Sequence, residues 1–436
     1  MNQAQPSSGS SQVLTIGQFA FSGLALVVLW SLGAVFTAAG LAARLNQAAL
    51  SGDAGSSLTA AAIFDLLGLL FLPSIYFSLL CLLKKQPPAW LASEARGPSA
   101  DALMWALLPL WALVLLLGNR AATSQGTGAL VLPILDILAV SLPILFLLLL
   151  GGRGLSAGSP QRTWGIFNVG MVAGPLVSLV AELLVFVALF IVIGIVVTRD
   201  PATRETFSRL SQRLMNSQAD PETIMRILRP YLSNPAVVFS GLALIGGVFP
   251  LIEELAKPLG LWLLVDPPWR GVGRGLTPAQ GFVGGMLSGA GFALMESLGT
   301  ATSQSGSDWA VVALARGGTD LLHILCSGLV GWGLVSAWNQ RRFLLLGASY
   351  LCAVAIHGLW NSLSLLMGFI PLVNQPLSEL PQGFGQNGAM TLVALGGLAV
   401  VLLAILITFN RRLRAPASIP GSQPALMGDS PNHPLP

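Results

Sequence analysis

Charge is what this chain has least of. Asp, Glu, Lys and Arg make up 9% of its 436 residues, against about 25% in ordinary globular proteins. That shortage excludes a soluble domain and a disordered one. It also excludes a nucleic-acid-binding surface, because a formal charge of +4 is spread over few ionisable groups. Cysteine is nearly absent. Cys81, Cys326 and Cys352 lie inside apolar runs without metal-ligand spacing, which excludes a disulfide framework and a thiolate zinc site. Apolar residues, by contrast, are 54% of the chain, with a mean hydropathy of +0.75. An all-α, polytopic integral membrane helix bundle follows, since backbone in lipid must satisfy its own hydrogen bonds.

A bilayer core takes about 20 apolar residues per helix. Ten stretches meet that need: 16–39, 59–83, 101–119, 129–150, 166–197, 235–265, 280–300, 309–338, 342–370 and 388–409. The fifth is long for one crossing and must tilt, kink at Pro175 or emerge from the membrane. The first is too long for a signal-peptide core, so it reads as a retained helix. Residues 1–15 read as a polar tail, 16–164 as a four-helix region of unassigned role, 165–370 as the functional core, 371–410 as a loop and last span, and 411–436 as a disordered tail rich in Pro, Ser and Gly. Lys84, Lys85 and Arg96, Arg153 and Arg162, Arg270 and Arg274, Arg341 and Arg342, and Arg411, Arg412 and Arg414 follow alternate spans. By the positive-inside rule this puts both termini in the cytoplasm of a multi-pass cell-membrane protein. Segment 198–234 carries six arginines on the opposite side and runs against this orientation. There, Phe207, Leu210 and Leu214 share one helical face, as do Ile224, Ile227, Leu228 and Tyr231. Two amphipathic helices on the bilayer surface are expected.

The ionisable residues inside the spans carry the functional signal. Span six holds Glu253, Glu254 and Lys257; span seven holds Glu296; span eight holds Arg316, Asp320 and His323; span nine holds His357 and Asn361. Six acids and bases at mid-bilayer cost on the order of 15–20 kcal/mol before pairing. Counted from the cytoplasmic ends at about 1.5 Å per residue, Glu254, Glu296, His323 and His357 fall within about 8 Å of one another in depth. Four consecutive helices thus bring carboxylates and imidazoles to one layer. Glu253 and Glu254 stand at i,i+4 and i,i+3 from Lys257, so either can neutralise it. Arg316, Asp320 and His323 share a face, as do His357 and Asn361. Gly281, Gly285, Gly289, Ala293 and Ser297 form a small-residue ridge that permits close helix contact. Asp65, Asp136 and Glu182 read as helix-packing or interface residues.

Such a set can activate water. A buried glutamate serves as general base, an imidazole shares the water, and the Asn361 amide can donate to a developing oxyanion. The same groups, Glu253, Glu254, Glu296, His323 and His357, could hold a divalent metal such as zinc. No HExxH accompanies them, and the metal-free route is the expectation.

Glu253-Glu254-Leu255-Ala256-Lys257 resembles the EExxK motif of the PrsW family of intramembrane proteases, and Phe292-Ala293-Leu294-Met295-Glu296 its FxxxE motif, with Ser297 where Asn is common. His323, and His357 through Asn361, complete the family's order. The type II CAAX prenyl proteases and bacteriocin-processing enzymes carry similar motifs. The resemblance implies an endopeptidase that cleaves membrane-associated proteins, such as an anti-sigma factor, in or beside the bilayer. It implies Glu253 as water activator, Glu254 as partner of Lys257, His357 and Asn361 as oxyanion donors, and His323 as a positioning group. Glu296 would stand where the CAAX-type enzymes have histidine. Arg316 and Asp320 would be supporting charges. The rival readings are an ion-coupled transporter or channel using the same buried relay, and a non-catalytic scaffold of the same fold.

Overall fold

Proline opens six of the helices, at Pro98, Pro160, Pro201, Pro221, Pro235 and Pro278. Its fixed φ suits the first helical turn, where no N–H partner is needed. The structure, a computed structural model, describes residues 9–45, 53–88, 98–123, 128–217, 220–263, 276–301, 309–374 and 386–414. Among these there is no strand. The helices are α1 (Gly9–Leu45), α2 (Asp53–Leu69), α3 (Leu72–Leu82), α4 (Pro98–Thr123), α5 (Gly128–Gly151), α6 (Pro160–Arg199), α7 (Pro201–Met215), α8 (Pro221–Leu232), α9 (Pro235–Ala243), α10 (Phe249–Ala256), α11 (Leu259–Trp262), α12 (Pro278–Ala301), α13 (Trp309–Gln340), α14 (Phe343–Asn374) and α15 (Gln386–Arg414).

Nine described segments are long and apolar enough to cross a bilayer. The 24-residue α12 is a tenth by length, its small residues lowering its hydropathy. The chain is therefore a multi-pass membrane bundle. Two expected spans are not single helices. The second breaks between α2 and α3 just before Pro73. The sixth is α9, a five-residue π-turn (Leu244–Val248), α10 and α11 in series. Its last break comes where Pro258 cannot continue the ladder. α6 runs unbroken through Pro175 for 40 residues. That is about 60 Å of helix against a core of about 30 Å. α1 begins at Gly9, inside the segment expected to be a tail, and α15 continues through Arg411–Arg414 before the remainder of the expected disordered tail, 415–436, which lies outside the described residues. Arg96, Arg270 and Arg274 lie outside them too.

α13 is the centre of the bundle, with Asp320 through Val330 buried without a break. It is packed most closely by α12 along the small-residue ridge. A Cβ added at Gly281, Gly285 or Gly289 would meet the carbonyl oxygens of Gly331, Ser327 and His323 respectively. The missing side chains let the two backbones touch, which draws Glu296 at the far end of the ridge alongside Arg316 and His323. On the opposite face of α12, Gly291 packs on the backbone of Phe167 and Met171 in α6. The amphipathic pair forms as expected. Asp200 caps α7 through Thr203 N at 2.9 Å, and Asp220 caps α8 through Thr223 N at 2.9 Å.

Candidate functional site

The π-turn is where the site begins. Gly246 lies backbone-to-backbone against Gly358 of α14, so a side chain on either would clash. Asn361, one turn after His357, donates from Nδ2 to the Ile245 carbonyl at 3.3 Å, and Tyr350 donates its hydroxyl to the Leu251 carbonyl at 2.7 Å. Those contacts hold α10 against α14 and face the glutamates toward His357. π-turns leave carbonyls without their helical donors and recur at functional sites.

Lys257 is wholly buried, as is Glu254. Its Nζ lies 2.6 Å from Glu254 Oε1, 3.2 Å from Glu253 Oε2 and 4.8 Å from the centre of the Phe292 ring. Both glutamates thus share one lysine, with Glu254 nearer. Ser288 of α12 donates to the Lys257 carbonyl, which the Pro258 break leaves without a helical donor. Glu254 Oε1 also sits 2.8 Å from His357 Nδ1. Lys257 Nζ lies 3.2 Å from the same nitrogen, so a neutral imidazole either donates there to Glu254 or accepts there from Lys257; in the first tautomer the Nε2 lone pair faces inward. That lone pair looks at Glu253 Oε2 across 3.7 Å. In that tautomer two acceptors face each other with no proton between them.

A second cluster adjoins the first. Arg316 reaches Glu296 Oε1 with both terminal nitrogens, each at 3.0 Å, and its Nε donates to Ser297 Oγ at 2.9 Å. Ser297 donates onward to Asp320 Oδ1 at 2.7 Å. Arg316 thus pairs across to α12 rather than with Asp320 four residues along its own helix. Glu296 Oε2 is left 2.8 Å from His323 Nε2, off the line of a hydrogen bond. His323 stacks edge-on to His357, ring centres 5.2 Å apart, and lies against Phe292. Trp360 donates to Thr319 Oγ1 at 3.1 Å, which locks the α13–α14 seam beside the imidazoles.

The structure therefore brings Glu253, Glu254, Lys257, Glu296, Arg316, Asp320, His323 and His357 into one connected group, with Asn361 at its edge and its amide engaged on Ile245. Sequence reasoning missed Ser297 as the bridge and Ser288 as the brace. Short polar residues on apolar helices carry no distinguishing spacing. Gly154-Leu155-Ser156-Ala157-Gly158 has the GxSxG spacing of a serine nucleophile, but it is a helix–helix loop in which Ser156 Oγ accepts from Gly158 N at 3.2 Å. The strand-to-helix elbow of such a nucleophile is not there, since the described residues hold no strand.

The donor set suits a divalent cation. Glu253, His323 and His357 each offer a ligand atom, all within 4.8 Å of one another. Glu253 Oε2 and both His323 ring nitrogens are buried without a hydrogen-bond partner. Buried polar atoms are rarely left so in a purely structural network. His357, oriented through Nδ1 by a carboxylate, has the arrangement commonly found behind metal-ligating imidazoles.

Residues 176–380 match the model of a family described as PrsW family intramembrane metalloprotease. The matched stretch opens inside α6 and closes just past α14. No curated protein and no solved structure matches the chain.

Proposed function

Since residues 176–380 make this chain a member of the PrsW family, and so an intramembrane peptidase, we propose that it hydrolyses membrane-associated proteins at the Glu253–His323–His357 cluster. One observation carries the assignment: the ligand atoms of these three residues converge within 4.8 Å, and Glu253 Oε2 and the His323 nitrogens make no hydrogen bond, only ion contacts with Lys257 and Glu296. That arrangement favours a metal-assisted reaction over the metal-free one expected from the missing HExxH. Glu253, His323 and His357 would hold the ion. A divalent cation there would polarise the peptide carbonyl and ease the deprotonation of water.

The other side chains do the remaining work. Glu254 fixes the His357 tautomer and keeps its Nε2 free. Lys257 neutralises Glu254, which is out of water, and Glu253, which is nearly so. Arg316 grips one oxygen of Glu296 and leaves Oε2 facing the imidazoles. Glu296 is the general base: its Oε2 takes a proton from water as the oxygen adds to the carbonyl carbon, then returns it to the nitrogen as the C–N bond breaks. The products are a carboxylate and an ammonium, the acid's proton passing to the new amine. Asn361 acts through the π-turn it pins rather than on an oxyanion. The substrate is a membrane protein, a single-pass anti-sigma type regulator being one class that suits. Both termini face the cytoplasm across the cell membrane.

Purified protein in detergent is incubated with a membrane-protein extract while bound metal is counted by mass spectrometry. Wild type carries about one ion per chain and releases fragments. Glu253→Gln and His357→Ala lose the ion, and chelation stops cleavage. Undiminished cleavage by metal-stripped protein would remove the metal-assisted reading, and equal cleavage by Glu253→Gln and wild type would remove the site.

A further inference from the structure

A further acid stands beside this cluster on a helix that contributes none of the motifs. Gly174, Ser178 and Glu182 follow one another at i, i+4 and i+8 on a single face of α6. Gly174 packs against the backbone of Ala256 and Lys257 and the Phe292 ring. Ser178 is 3% exposed, and its Oγ has no partner. Two other contacts fix the register. The Ile166 backbone lies against Gly260, and the Phe186 ring meets that of Phe249 edge-on, centres 5.5 Å apart. Moving along α6 from 166 to 186 is therefore moving back from 260 to 249, and Glu182 comes level with the turn that bears Glu253. Its carboxylate is within electrostatic reach of Glu253, Glu296 and Lys257. Flanking it, Leu179, Val180, Leu183 and Leu184 are all exposed and apolar.

Charge is unbalanced at this place. Lys257 and Arg316 are the permanent cations, and they pair with Glu253, Glu254 and Glu296. Among the described residues Glu182 has no ion pair. A carboxylate at membrane depth without a counter-charge is costly, and such residues mark pathways for charged groups. Just beyond it α6 and α9 make almost no contact with each other. Phe190, Ile191 and Val192 on the one helix, and Val237 and Phe239 on the other, are exposed. Beyond the acid these two helices thus keep exposed apolar side chains and are not packed on each other.

We infer that the substrate's membrane segment enters between these two helices and that Glu182, with Ser178 beside it, binds a lysine or arginine of the substrate close to the scissile bond. This rests on the proteolytic reading above. Long basic side chains lay their stems along apolar surface and deliver the charged head to a carboxylate. Glu182 is then a specificity-determining residue, and the basic residue supplies the missing counter-charge only while substrate is bound.

The test maps new N-termini by mass spectrometry in a membrane-protein extract treated with wild type, Glu253→Gln, Glu182→Gln or Glu182→Lys. All four are first matched for thermal unfolding midpoint. Cuts made by wild type and absent with Glu253→Gln define the true sites. Lys or Arg is expected within a few residues of most of them. Those cuts should slow about tenfold with Glu182→Gln, the loss of one ion pair worth about 1.4 kcal/mol. Glu182→Lys should abolish them or move cutting to sites flanked by Asp or Glu. True sites without basic residues, or one unchanged list for all three active proteins, would overturn the role of Glu182 and leave the protease standing. No Glu253-dependent cut at all would overturn both.

Discussion

Replacing Lys257 with methionine tests the centre of the site most directly. The side chain keeps its length and apolar stem and loses only the ammonium. At an effective dielectric of about 20, the contacts at 2.6 Å to Glu254 and 3.2 Å to Glu253 are worth about 6 and about 5 kcal/mol of Coulomb attraction. Most of that offsets the desolvation of three ions. Removing one partner leaves the desolvation of the others unrelieved, so the net cost is about 3–5 kcal/mol. Glu254→Gln is milder, because Lys257 retains Glu253. The double variant Glu254→Gln/Lys257→Met should be more stable than Lys257→Met alone, with a coupling of about 2 kcal/mol or more. Unfolding in mixed micelles, followed by intrinsic tryptophan fluorescence, gives all three values. A Lys257→Met protein within about 1 kcal/mol of wild type, or single effects that simply add, would show that the ammonium is not holding two buried carboxylates.

Other expectations follow from separate parts of the molecule. Gly285→Val places a side chain on the Ser327 carbonyl. It should cost about 1–3 kcal/mol by overpacking and lower cleavage by parting Glu296 from His323; an unchanged unfolding midpoint would contradict the ridge contact. Asp136 is 2% exposed and accepts from Trp309 Nε1 at 2.7 Å. Asp136→Ala should cost about 1–3 kcal/mol by stranding that N–H, while Asp136→Asn, which keeps an acceptor, should cost less in the same unfolding assay. The hydroxyl and backbone N–H of Thr203 hold the Asp200 carboxyl below its ordinary value, and Thr223 does the same for Asp220. Caps of this sign are fully present above the unfolded carboxyl value and are lost as pH falls through the lowered folded one. Protection of the Thr203 and Thr223 amides, corrected for intrinsic exchange, should be flat between about pH 5 and 8 and should drop below about pH 4. Protection that instead changes around neutrality would point to another group.

Much of this was legible in the residues because membrane helices announce themselves. Apolar runs placed the membrane-length segments, two of them broken, and equal depth picked out Glu254, Glu296, His323 and His357 before any packing was known. Spacing assigns a residue to a face but not to a neighbour. It offered Asp320 to Arg316 at i,i+4, whereas the close α12–α13 approach hands Arg316 to Glu296. It offered Lys257 to either glutamate, and the lysine takes both. Asn361 looked available as a donor, and only the unwound carbonyl of Ile245 explains where its amide goes. Glu182 read as a packing residue because eleven of the twelve residues from Leu179 to Phe190 carry no charge. What sets it apart is the register of α6 against α10, which no local pattern encodes.

The five-residue π-turn has a consequence for homologous chains. Each residue added to a regular helix advances the azimuth of everything after it by about 100°. A widened turn that absorbs one extra residue therefore sets the phase of Glu253, Glu254 and Lys257 relative to α14. Deleting one residue between Leu244 and Val248 would leave the EExxK letters intact and swing their carboxylates round toward the acyl chains. Two chains with identical motifs can thus differ in competence by a single upstream indel, and the Gly246–Gly358 seam is the place to look for it.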